Sequence, residues 1–416
     1  MKKIHYHTDL SYFGGSENMI ANFLNSESIN NTYQVSLSFR FTEEYSMGLH
    51  ERLKNEVELY PLRLPIFRTY KRSGRLNASM LSKCFNYSFY LLEYPPILVM
   101  NLLLLLRLLG RVKPDILHIN NGGYPGALSC RIAVLAGKIA GIKNIVFVVN
   151  NMAMDYSHPY RWPDFFIDRL VVSYTSCFIT GSLAAMNRLR DVLPLSSKQT
   201  SILSNGVDIR GTTETTSQTL SRLDLESFEG VIFGVVATME PRKGHLYLLK
   251  SIKLLLEANK KDMKPFVVLI EGSGGVRPQL EEFVKENSLG AVVKFIGNEE
   301  AIFNFLSIID VLVLPSIGGE DFPNVISEAM ALSKPIIATK IAGIVEQVVE
   351  GQTGLLVDAL SEVQMADALA TLVIDTKRID VMGKFGSERY RKLYTSEESI
   401  LKYENLYETL LRDRSK

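Results

Sequence analysis

The chain has 416 residues, and its 46 lysine and arginine residues nearly balance its 45 aspartate and glutamate residues. At about 150 residues per domain, this length predicts two or three domains, and the balanced charge argues against a nucleic-acid-binding protein, which is usually strongly basic. Hydrophobic residues make up 46% of the chain, which argues against disorder. The three cysteines are widely spaced and form no disulfide or zinc-binding pattern, as expected in a reducing cytoplasm.

The N-terminal half alternates short apolar strands with amphipathic helices. A strand over 3–8 is followed by a glycine-rich turn and a helix over 16–25, for which Ser16 suits the N-cap position. Residues 40–112 are less regular. The remaining strands and helices are predicted over 35–39, 116–120, 126–139, 144–149, 162–175, 177–180, 182–193 and 200–203. Such alternation predicts a parallel sheet covered by helices on both faces.

The less regular region contains the most apolar stretch of the chain, residues 95–109. It is shorter than the ~20 apolar residues of a membrane-spanning helix, and no apolar run typical of a signal peptide follows the N-terminal lysines. Two interpretations of segment 62–109 stay open: a helix buried in the core, or a helix lying on a membrane surface facing anionic lipid. The second rests on upstream basic and aromatic residues, namely Arg63, Arg68, Lys71, Arg72, Arg75 and Lys83 with Phe67, Tyr70, Phe85, Tyr87, Phe89 and Tyr90.

A polar, Thr/Ser-rich segment, residues 206–228, predicts an interdomain linker. After it, strands are predicted over 231–237, 266–270, 293–296, 311–315, 335–339 and 354–357. They indicate a second doubly wound α/β domain. The predicted organisation is an N-terminal domain over 1–205, the linker, a C-terminal domain over 229–395, and a C-terminal helix over 396–416 that could pack back on the N-terminal domain. Ligands of such sheets bind at the carboxyl ends of the strands.

The segment with the most chemical information is 318–330, GGEDFPNVISEAM, directly after a predicted buried strand. It places Glu320 in a loop and Glu328 on the following helix. The N–H groups at the start of that helix, those of Asn324 and Val325, favour an anion such as a diphosphate. Glu328 would lie roughly 7–8 Å from the start of that helix, measured along the helix axis. A bound diphosphate would therefore place a ribose beside Glu328 and a sugar beside Glu320, because carboxylates accept hydrogen bonds from hydroxyl groups.

These residues resemble the two-glutamate signature of glycosyltransferase family 4, a retaining family with the GT-B fold of two Rossmann-like domains facing across a cleft. The resemblance covers nearly the whole chain and is strongest over 231–358. It implies that Glu320 binds donor-sugar hydroxyls, that Glu328 binds the ribose, and that the loop residue Phe322 lies at the nucleotide together with Asn324 and Val325. The family usually has Gly where this chain has Asp321.

Two further segments of the C-terminal half match family positions. Lys243 matches a Lys-Gly pair of the family, whereas the family's preceding Gly-Arg pair falls on Ala237 and Thr238. The resemblance therefore implies that Arg242 supplies the second cation at the leaving diphosphate, where charge counts most in a partly desolvated site. Gly272 and Ile296 match segments that line the nucleotide site.

The N-terminal half carries two other family positions. Gly14 and Gly15 resemble the N-terminal glycine loop, in which glycine lets backbone amides approach a phosphate or an acceptor closely. Asn150 stands where many members have a histidine that touches the donor sugar; its amide can hydrogen-bond a hydroxyl but cannot act as a base. Four other residues that match family positions are assigned structural or hinge roles: His118, Ser182, Asn205 and Gly206. Three further histidines, His7, His158 and His245, are interpreted as ordinary residues without a catalytic role.

The resemblance implies transfer of a sugar from a UDP- or GDP-sugar to a glycan or lipid-linked acceptor, in surface polysaccharide or lipopolysaccharide assembly at the cytoplasmic face of the membrane. No metal or other cofactor is expected, because the chain has no Asp-x-Asp motif and Arg242, Lys243 and helix amides can replace the charge of magnesium. Two alternatives stay open: a GT-B nucleotide-sugar epimerase, and a degenerate homologue acting as a partner subunit. A dehydrogenase is disfavoured because no predicted strand is followed by G-x-G-x-x-G.

Overall fold

The structure is a computed structural model that describes residues 1–67, 80–258, 261–299 and 301–412, with the backbone alone for 80–85. The chain divides into two compact units. The first comprises Met1–Ser204 and Ile400–Lys416, and the second comprises Asn205–Ser399.

A seven-stranded parallel sheet forms the centre of the first unit. Its strands are β1 (Lys2–Thr8), β2 (Tyr33–Arg40), β3 (Glu58–Leu62), β4 (Ile116–Asn121), β5 (Asn144–Val149), β6 (Cys177–Thr180) and β7 (Thr200–Ile202), in the spatial order β3-β2-β1-β4-β5-β6-β7. Ile4 of β1 pairs with Val35 on one side and with Ile116 on the other. All six residues of β5 are buried, as expected of a parallel strand covered on both faces.

Helices connect these strands and cover the sheet. They are α1 (Gly15–Asn25), α2 (Glu27–Thr32), α3 (Glu43–Arg52), α4 (Met80–Val112), α5 (Leu128–Ile139), α6 (Asp164–Tyr174) and α7 (Leu183–Val192). The prediction that Ser16 caps the first helix is wrong, because α1 begins one residue earlier, at Gly15, with Gly14 in the N-cap position.

Helix α4 forms the last 33 residues of the region predicted to be less regular, which also contains α3 and β3. One face packs on α5 and the core, through Tyr90, Tyr94, Ile97, Asn101, Leu105, Leu108, Leu109 and Val112. The opposite face is apolar yet exposed, through Phe89, Leu92, Val99, Met100, Leu103 and Leu104. The buried face agrees with the interpretation as a core helix, and the membrane interpretation stays a prediction. Of the residues cited for the membrane interpretation, five fall in 68–79 and lie outside the described residues, as do the side chains of Lys83 and Phe85.

A cluster of four buried charges joins α5, α6 and the short 3-10 turn before α6. Arg131 Nη1 lies 2.7 Å from Asp164 Oδ1 and 3.3 Å from Asp168 Oδ1, and Arg161 pairs with both carboxylates through its two terminal nitrogens. The Tyr94 hydroxyl donates to Asp164, which ties α4 to the same cluster. The four charges compensate one another, as buried charges must.

The second unit contains a six-stranded parallel sheet. Its strands are β8 (Val231–Val236), β9 (Phe266–Glu271), β10 (Val293–Gly297), β11 (Val311–Leu314), β12 (Ile336–Thr339) and β13 (Gly354–Val357), in the order β10-β9-β8-β11-β12-β13. Its helices are α8 (Thr216–Arg222), α9 (His245–Glu257), α10 (Arg277–Glu286), α11 (Ile302–Ile308), α12 (Asn324–Ala331), α13 (Ile344–Gln347), α14 (Glu362–Ile374) and α15 (Lys377–Leu393). Both sheets are doubly wound, with the first strand of each in sequence, β1 and β8, in an interior position.

Residues 206–228, which the composition suggested as a linker, belong to the second unit and include α8. The N-terminus of α8 is fixed by a capping box between Thr215 and Gln218. The segment is polar because α8 is largely exposed, not because it is unstructured.

The last helix that the structure describes, α16 (Ser396–Arg412), starts in the second unit and continues in the first. Tyr403 and Tyr407 on this helix are fully buried beside Phe23 and His118. His118 is hydrogen-bonded through Nδ1 to the Tyr407 hydroxyl at 2.6 Å. Burial lowers the pKa of His118 to about 3, so this histidine is a neutral core residue, in agreement with its predicted structural role.

Candidate active site

The predicted catalytic residues of the second unit meet at the carboxyl edge of its sheet. Lys243 lies on a short 3-10 turn after β8, and Glu320 lies in the loop between β11 and α12. The Lys243 ammonium pairs with Glu320 Oε1, and the Ser316 hydroxyl donates to the same oxygen at 2.8 Å. The side chains of Lys243 and Glu320 are only 14% and 7% exposed. The pair is therefore largely shielded from water, where electrostatic interactions are strongest.

Arg242 lies on the outer side of this pair. Its Nη1 donates to the Gly319 carbonyl at 3.1 Å and lies 3.8 Å from Glu320 Oε1, while its Nε donates to Glu240 at 2.9 Å. Its side chain is 40% exposed, so a ligand can reach its guanidinium group. The two cations predicted to face a diphosphate thus flank one carboxylate.

The glycine after Lys243 allows the loops after β8 and β11 to meet. Gly244 has φ +71°, and a Cβ at this position would lie 1.9 Å from the Pro315 carbonyl oxygen. The Arg242 carbonyl also accepts a hydrogen bond from the Ile317 N–H at 2.8 Å. Only glycine tolerates this left-handed conformation and close backbone approach without strain, which explains the Lys-Gly pair in the sequence.

Glu328 lies on α12, one helical turn beyond the helix start, and its side chain is 10% exposed. Burial raises its pKa, and Arg210, whose Nη2 lies 3.5 Å from Glu328 Oε1, opposes that rise. Helix α12 begins at Asn324, with Pro323 in the N-cap position, close to the predicted start. The Asn324 side-chain oxygen accepts a hydrogen bond from Asn205 at 3.2 Å. Val325 lies half-buried in the first turn.

Phe322 lies in the loop before α12, and its predicted place at the nucleotide stays a prediction. Its side chain is 8% exposed and packs edge-on against Tyr394, with ring centroids 5.4 Å apart. The ring is therefore part of the core, and only the backbone of Phe322 lies in the loop that precedes α12.

Gly272 and Ile296 are also neighbours, as expected of residues lining one nucleotide site. The Gly272 N–H donates to the Gly297 carbonyl at 2.8 Å, next to Ile296 at the end of β10. Gly272 has φ +122°, and a Cβ there would lie 2.2 Å from the Ala237 carbonyl oxygen. The loops after β8, β9 and β10 thus pack together at the same sheet edge as Lys243.

Two family models match the chain: Glycosyltransferase Family 4 over residues 48–210 and Glycosyl transferases group 1 over residues 225–389. The chain belongs to glycosyltransferase family 4. It is 28% identical over 274 residues to the D-inositol 3-phosphate glycosyltransferase of Corynebacterium urealyticum, covering 63% of each chain. It is 24% identical over 185 residues to the capsular polysaccharide biosynthesis glycosyltransferase CapM of Staphylococcus aureus, covering 44% of this chain and 48% of CapM. The aligned segments thus span less than two thirds of either relative.

The solved structure of HepE from Anabaena in complex with UDP has a similar fold. It superposes with a TM-score of 0.72 over 98% of this chain and 100% of HepE, at 17% sequence identity. The two parallel-sheet α/β units of this family 4 protein therefore have the GT-B fold.

The other predicted site residues of this family 4 protein lie in its first unit. Asn150 follows β5, and its Nδ2 donates to Asn120 Oδ1 at 2.7 Å and to the Asn121 carbonyl at 3.1 Å. Gly14 and Gly15 lie after β1 at the start of α1. Gly14 has an extended backbone that any residue adopts, so its conformation gives no reason for glycine. These residues lie at the carboxyl ends of their strands, where α/β sheets bind ligands.

Three charged residues near these sites were not singled out from the sequence. Arg210 approaches Glu328 from the segment interpreted as a linker. Glu271, at the end of β9, accepts a hydrogen bond from the Glu299 N–H at 3.0 Å, and burial with nearby acidic groups raises its pKa to about 7. Glu17, on α1, is fully buried and accepts a hydrogen bond from Asn120, the neighbour of Asn150. Their partners lie far away in sequence, so no local pattern indicated them.

Within the described part of the chain, no group of three or more His, Cys, Asp or Glu residues is arranged to hold a metal.

Proposed function

We propose that this family 4 protein is a retaining glycosyltransferase that moves a sugar from a UDP- or GDP-sugar to a glycan or lipid-linked acceptor. The observation that carries the proposal is the shielded Lys243–Glu320 pair, with Arg242 beside it and Glu328 on the adjacent helix. These groups supply cations for a diphosphate and carboxylates for the hydroxyls of a sugar and a ribose.

The proposed division of roles follows from exposure and charge. Lys243 and Arg242 balance the charge that develops on the leaving diphosphate, and preorganised charges in a water-poor site lower the barrier most. Glu320 accepts hydrogen bonds from donor-sugar hydroxyls, and Glu328 accepts them from the ribose. The UDP bound by HepE supports a nucleotide donor for this fold. We expect no metal requirement, because these cations and the α12 N-terminus already face the site.

The retaining outcome is proposed to need no nucleophilic residue. The acceptor hydroxyl attacks the anomeric carbon from the side that the nucleotide leaves. Its proton passes to the departing phosphate oxygen as the bond between that oxygen and the anomeric carbon breaks. The protein's role is then to orient both reactants and to stabilise the diphosphate.

A lipid-linked acceptor is supported by helix α4. Residues Asn86–Val112 are long and apolar enough to cross a membrane by length and composition alone, and 22% of their most apolar window is buried in the protein. Because Tyr90, Tyr94 and Leu105 pack in the core of the first unit, we propose that α4 lies on the membrane surface and does not span it. Its exposed face ends at Arg107 and Arg111, which suit anionic lipid headgroups.

A second exposed apolar group lies near the N-terminal half of α4. The turn before α6 and its first residues expose Trp162, Phe165 and Phe166, the last with 76% exposure. The Tyr90 hydroxyl donates to the Tyr160 carbonyl, which places this turn beside the N-terminal half of α4. With CapM as a relative in capsular polysaccharide biosynthesis, we propose a role in surface polysaccharide or lipopolysaccharide assembly at the cytoplasmic membrane face.

Nucleotide-dependent thermal stabilisation is the first test, because a ligand that binds the folded state raises its stability. We expect stabilisation by UDP or GDP, with or without magnesium, and none by NAD. Donor turnover with and without added acceptor then separates a transferase from an epimerase, and NMR of the product's anomeric proton reports retention. Stabilisation by NAD alone, or turnover that needs no acceptor, would contradict the proposal.

The membrane proposal is tested by co-sedimentation with phosphatidylglycerol and phosphatidylcholine vesicles. Leu92 and Leu103 are 73% and 62% exposed, so Leu92→Glu with Leu103→Glu should abolish binding to anionic vesicles without unfolding the protein. Leu401→Glu, at a residue 52% exposed on α16, is the matched control and should leave binding unchanged. Equal binding by the double variant and the wild type would refute the assignment of this face.

A further inference from the structure

Glu17 on α1 is a fully buried carboxylate that neither the sequence analysis nor the proposed chemistry uses. Its Oε1 accepts hydrogen bonds from the Thr8 hydroxyl at 2.9 Å and from Asn120 Nδ2 at 3.0 Å. Its Oε2 accepts one from the Tyr45 hydroxyl. Every partner donates, which is the arrangement that an ionised carboxylate requires.

This arrangement fixes the direction of a neighbouring amide. Because ionised Glu17 can only accept, Asn120 turns its NH2 group toward Glu17 and the Ser16 carbonyl, and its Oδ1 the other way. That oxygen accepts a hydrogen bond from Asn150 Nδ2 at 2.7 Å, and the Asn121 carbonyl accepts the second N–H of Asn150 at 3.1 Å.

Both N–H groups of the Asn150 amide are thus used inside the protein. Its Oδ1 has no hydrogen-bond partner among the described residues and belongs to a half-buried residue at the carboxyl end of β5. Asn150 therefore offers a ligand an acceptor and no donor. An unconstrained asparagine would offer either, since amide oxygen and nitrogen have nearly the same shape.

We propose that Glu17 is a positioning residue: through Asn120 it fixes the Asn150 amide with its oxygen toward the substrate, so that this position selects a sugar hydroxyl that donates a hydrogen bond. The inference rests on the proposed function and on the family resemblance, by which Asn150 stands where many members have a histidine that touches the donor sugar. It predicts rejection of a substrate whose hydroxyl is replaced by fluorine, which cannot donate. A site that loses the donor it was built to accept discriminates strongly, because a buried polar group is left unpaired.

The protonation state of Glu17 tests this arrangement. Burial is the main cause that raises its pKa to about 7, against hydrogen bonds that lower it. A protonated Glu17 carries an O–H that can donate to Asn120, so the direction of both amides is no longer fixed. The titratable and charged groups around Glu17 are Tyr45 on α3, Asp9 after β1 with its partner Arg40 on β2, and Cys130 on α5.

The first experiment measures the side-chain amides directly. In protein labelled with 15N-asparagine, the side-chain NH2 signals of Asn120 and Asn150 should shift together with a midpoint near pH 7. Both shifts should vanish in Glu17→Gln. In Tyr45→Phe the midpoint should move to higher pH, because a hydrogen bond that favours the ionised carboxylate is removed. Independent titration of the two signals, or persistence of both in Glu17→Gln, would overturn the inference.

The second experiment measures kcat/KM between pH 5.5 and 8.5 with the native donor and with deoxyfluoro analogues. In the wild type we expect a decline as pH falls through about 7 and at least ~100-fold discrimination against one analogue, since sites built to bind a hydroxyl reach roughly 10,000-fold or more. In Glu17→Gln, kcat/KM should no longer decline at low pH and most of this discrimination should be lost, while nucleotide affinity is kept. Glu27→Gln, an exposed glutamate at the start of α2, is the matched control.

The outcomes separate the two proposals. If the wild type transfers no sugar, the proposed function fails, and the amide titration still decides whether Glu17 fixes the two asparagines. If the wild type is active and Glu17→Gln keeps its pH profile and its discrimination, the positioning role fails and the proposed function stands. If Glu17→Gln does not fold, Tyr45→Phe provides the same test, because the decline of its kcat/KM at low pH should move to higher pH.

Discussion

Replacing Glu328 by glutamine tests the assignment of the ribose site. The side chain keeps its size and one acceptor oxygen, but it loses the charge that a hydroxyl donor would meet. A hydrogen bond to a charged group contributes about 1.5–3 kcal/mol, and the 10% exposure of Glu328 leaves little water to replace it. At 1.4 kcal/mol per tenfold, the nucleotide Kd should rise about 10- to 150-fold.

Isothermal titration calorimetry with UDP and GDP measures this change, and 2′,3′-dideoxy nucleotides show whether it arises at the ribose. The dideoxy compound should bind more weakly than the natural one to the wild type, and nearly equally to Glu328→Gln. Glu282→Gln, on the exposed face of α10, controls for the loss of one negative charge in this unit. An unchanged Kd for Glu328→Gln, or an equal loss with the dideoxy nucleotide, would refute the placement of the ribose.

Three further predictions concern stability, measured by denaturant unfolding. Gly244→Ala should cost about 1–3 kcal/mol, because a left-handed residue would gain a Cβ against the Pro315 carbonyl, whereas Gly290→Ala, with nothing near its Cβ position, should not. Asp168→Asn should cost about 3–5 kcal/mol by leaving buried arginines unbalanced, and Asp155→Asn, in an exposed pair, should change little. The unfolded chain binds a proton at His118 below about pH 6.5, which the folded chain does not until about pH 3. Stability should therefore fall as pH drops below 6.5, and His118→Gln should reduce that slope by up to about 1.4 kcal/mol per pH unit.

Local patterns predicted the parallel sheets well because each buried strand is a short apolar run between turns. The strands over 177–180 and 354–357 end where the sequence indicated. The sequence predicted a helix within 62–109 but not the extent of α4, because apolar residues on both faces remove the helical period and because prolines such as Pro95 and Pro96 are uncommon inside a helix. Helix α8 was missed for the opposite reason, since it is almost entirely polar.

In the candidate site, too, the sequence could indicate only those residues that belong to a local pattern. Lys243, Glu320 and Glu328 could be named because each belongs to a short motif at a strand end or helix start. Glu17 could not be given a role, because its partners Tyr45 and Asn120 lie 28 and 103 residues away. Such contacts depend on the order of strands in the sheet, which alternation of hydrophobic residues does not specify.

The passage of α16 from one unit to the other has a consequence for biosynthesis. The ribosome must complete the second unit, Asn205–Ser399, before it makes Tyr403 and Tyr407, which fill the aromatic core beside Phe23 and His118. During translation the N-terminal unit therefore remains incompletely packed until α16, encoded almost 200 codons later, has been synthesised. A nascent chain stalled before Ile400 should expose that core to chaperones and proteases, so damage near the C-terminus of α16 would be registered as misfolding of the N-terminal unit.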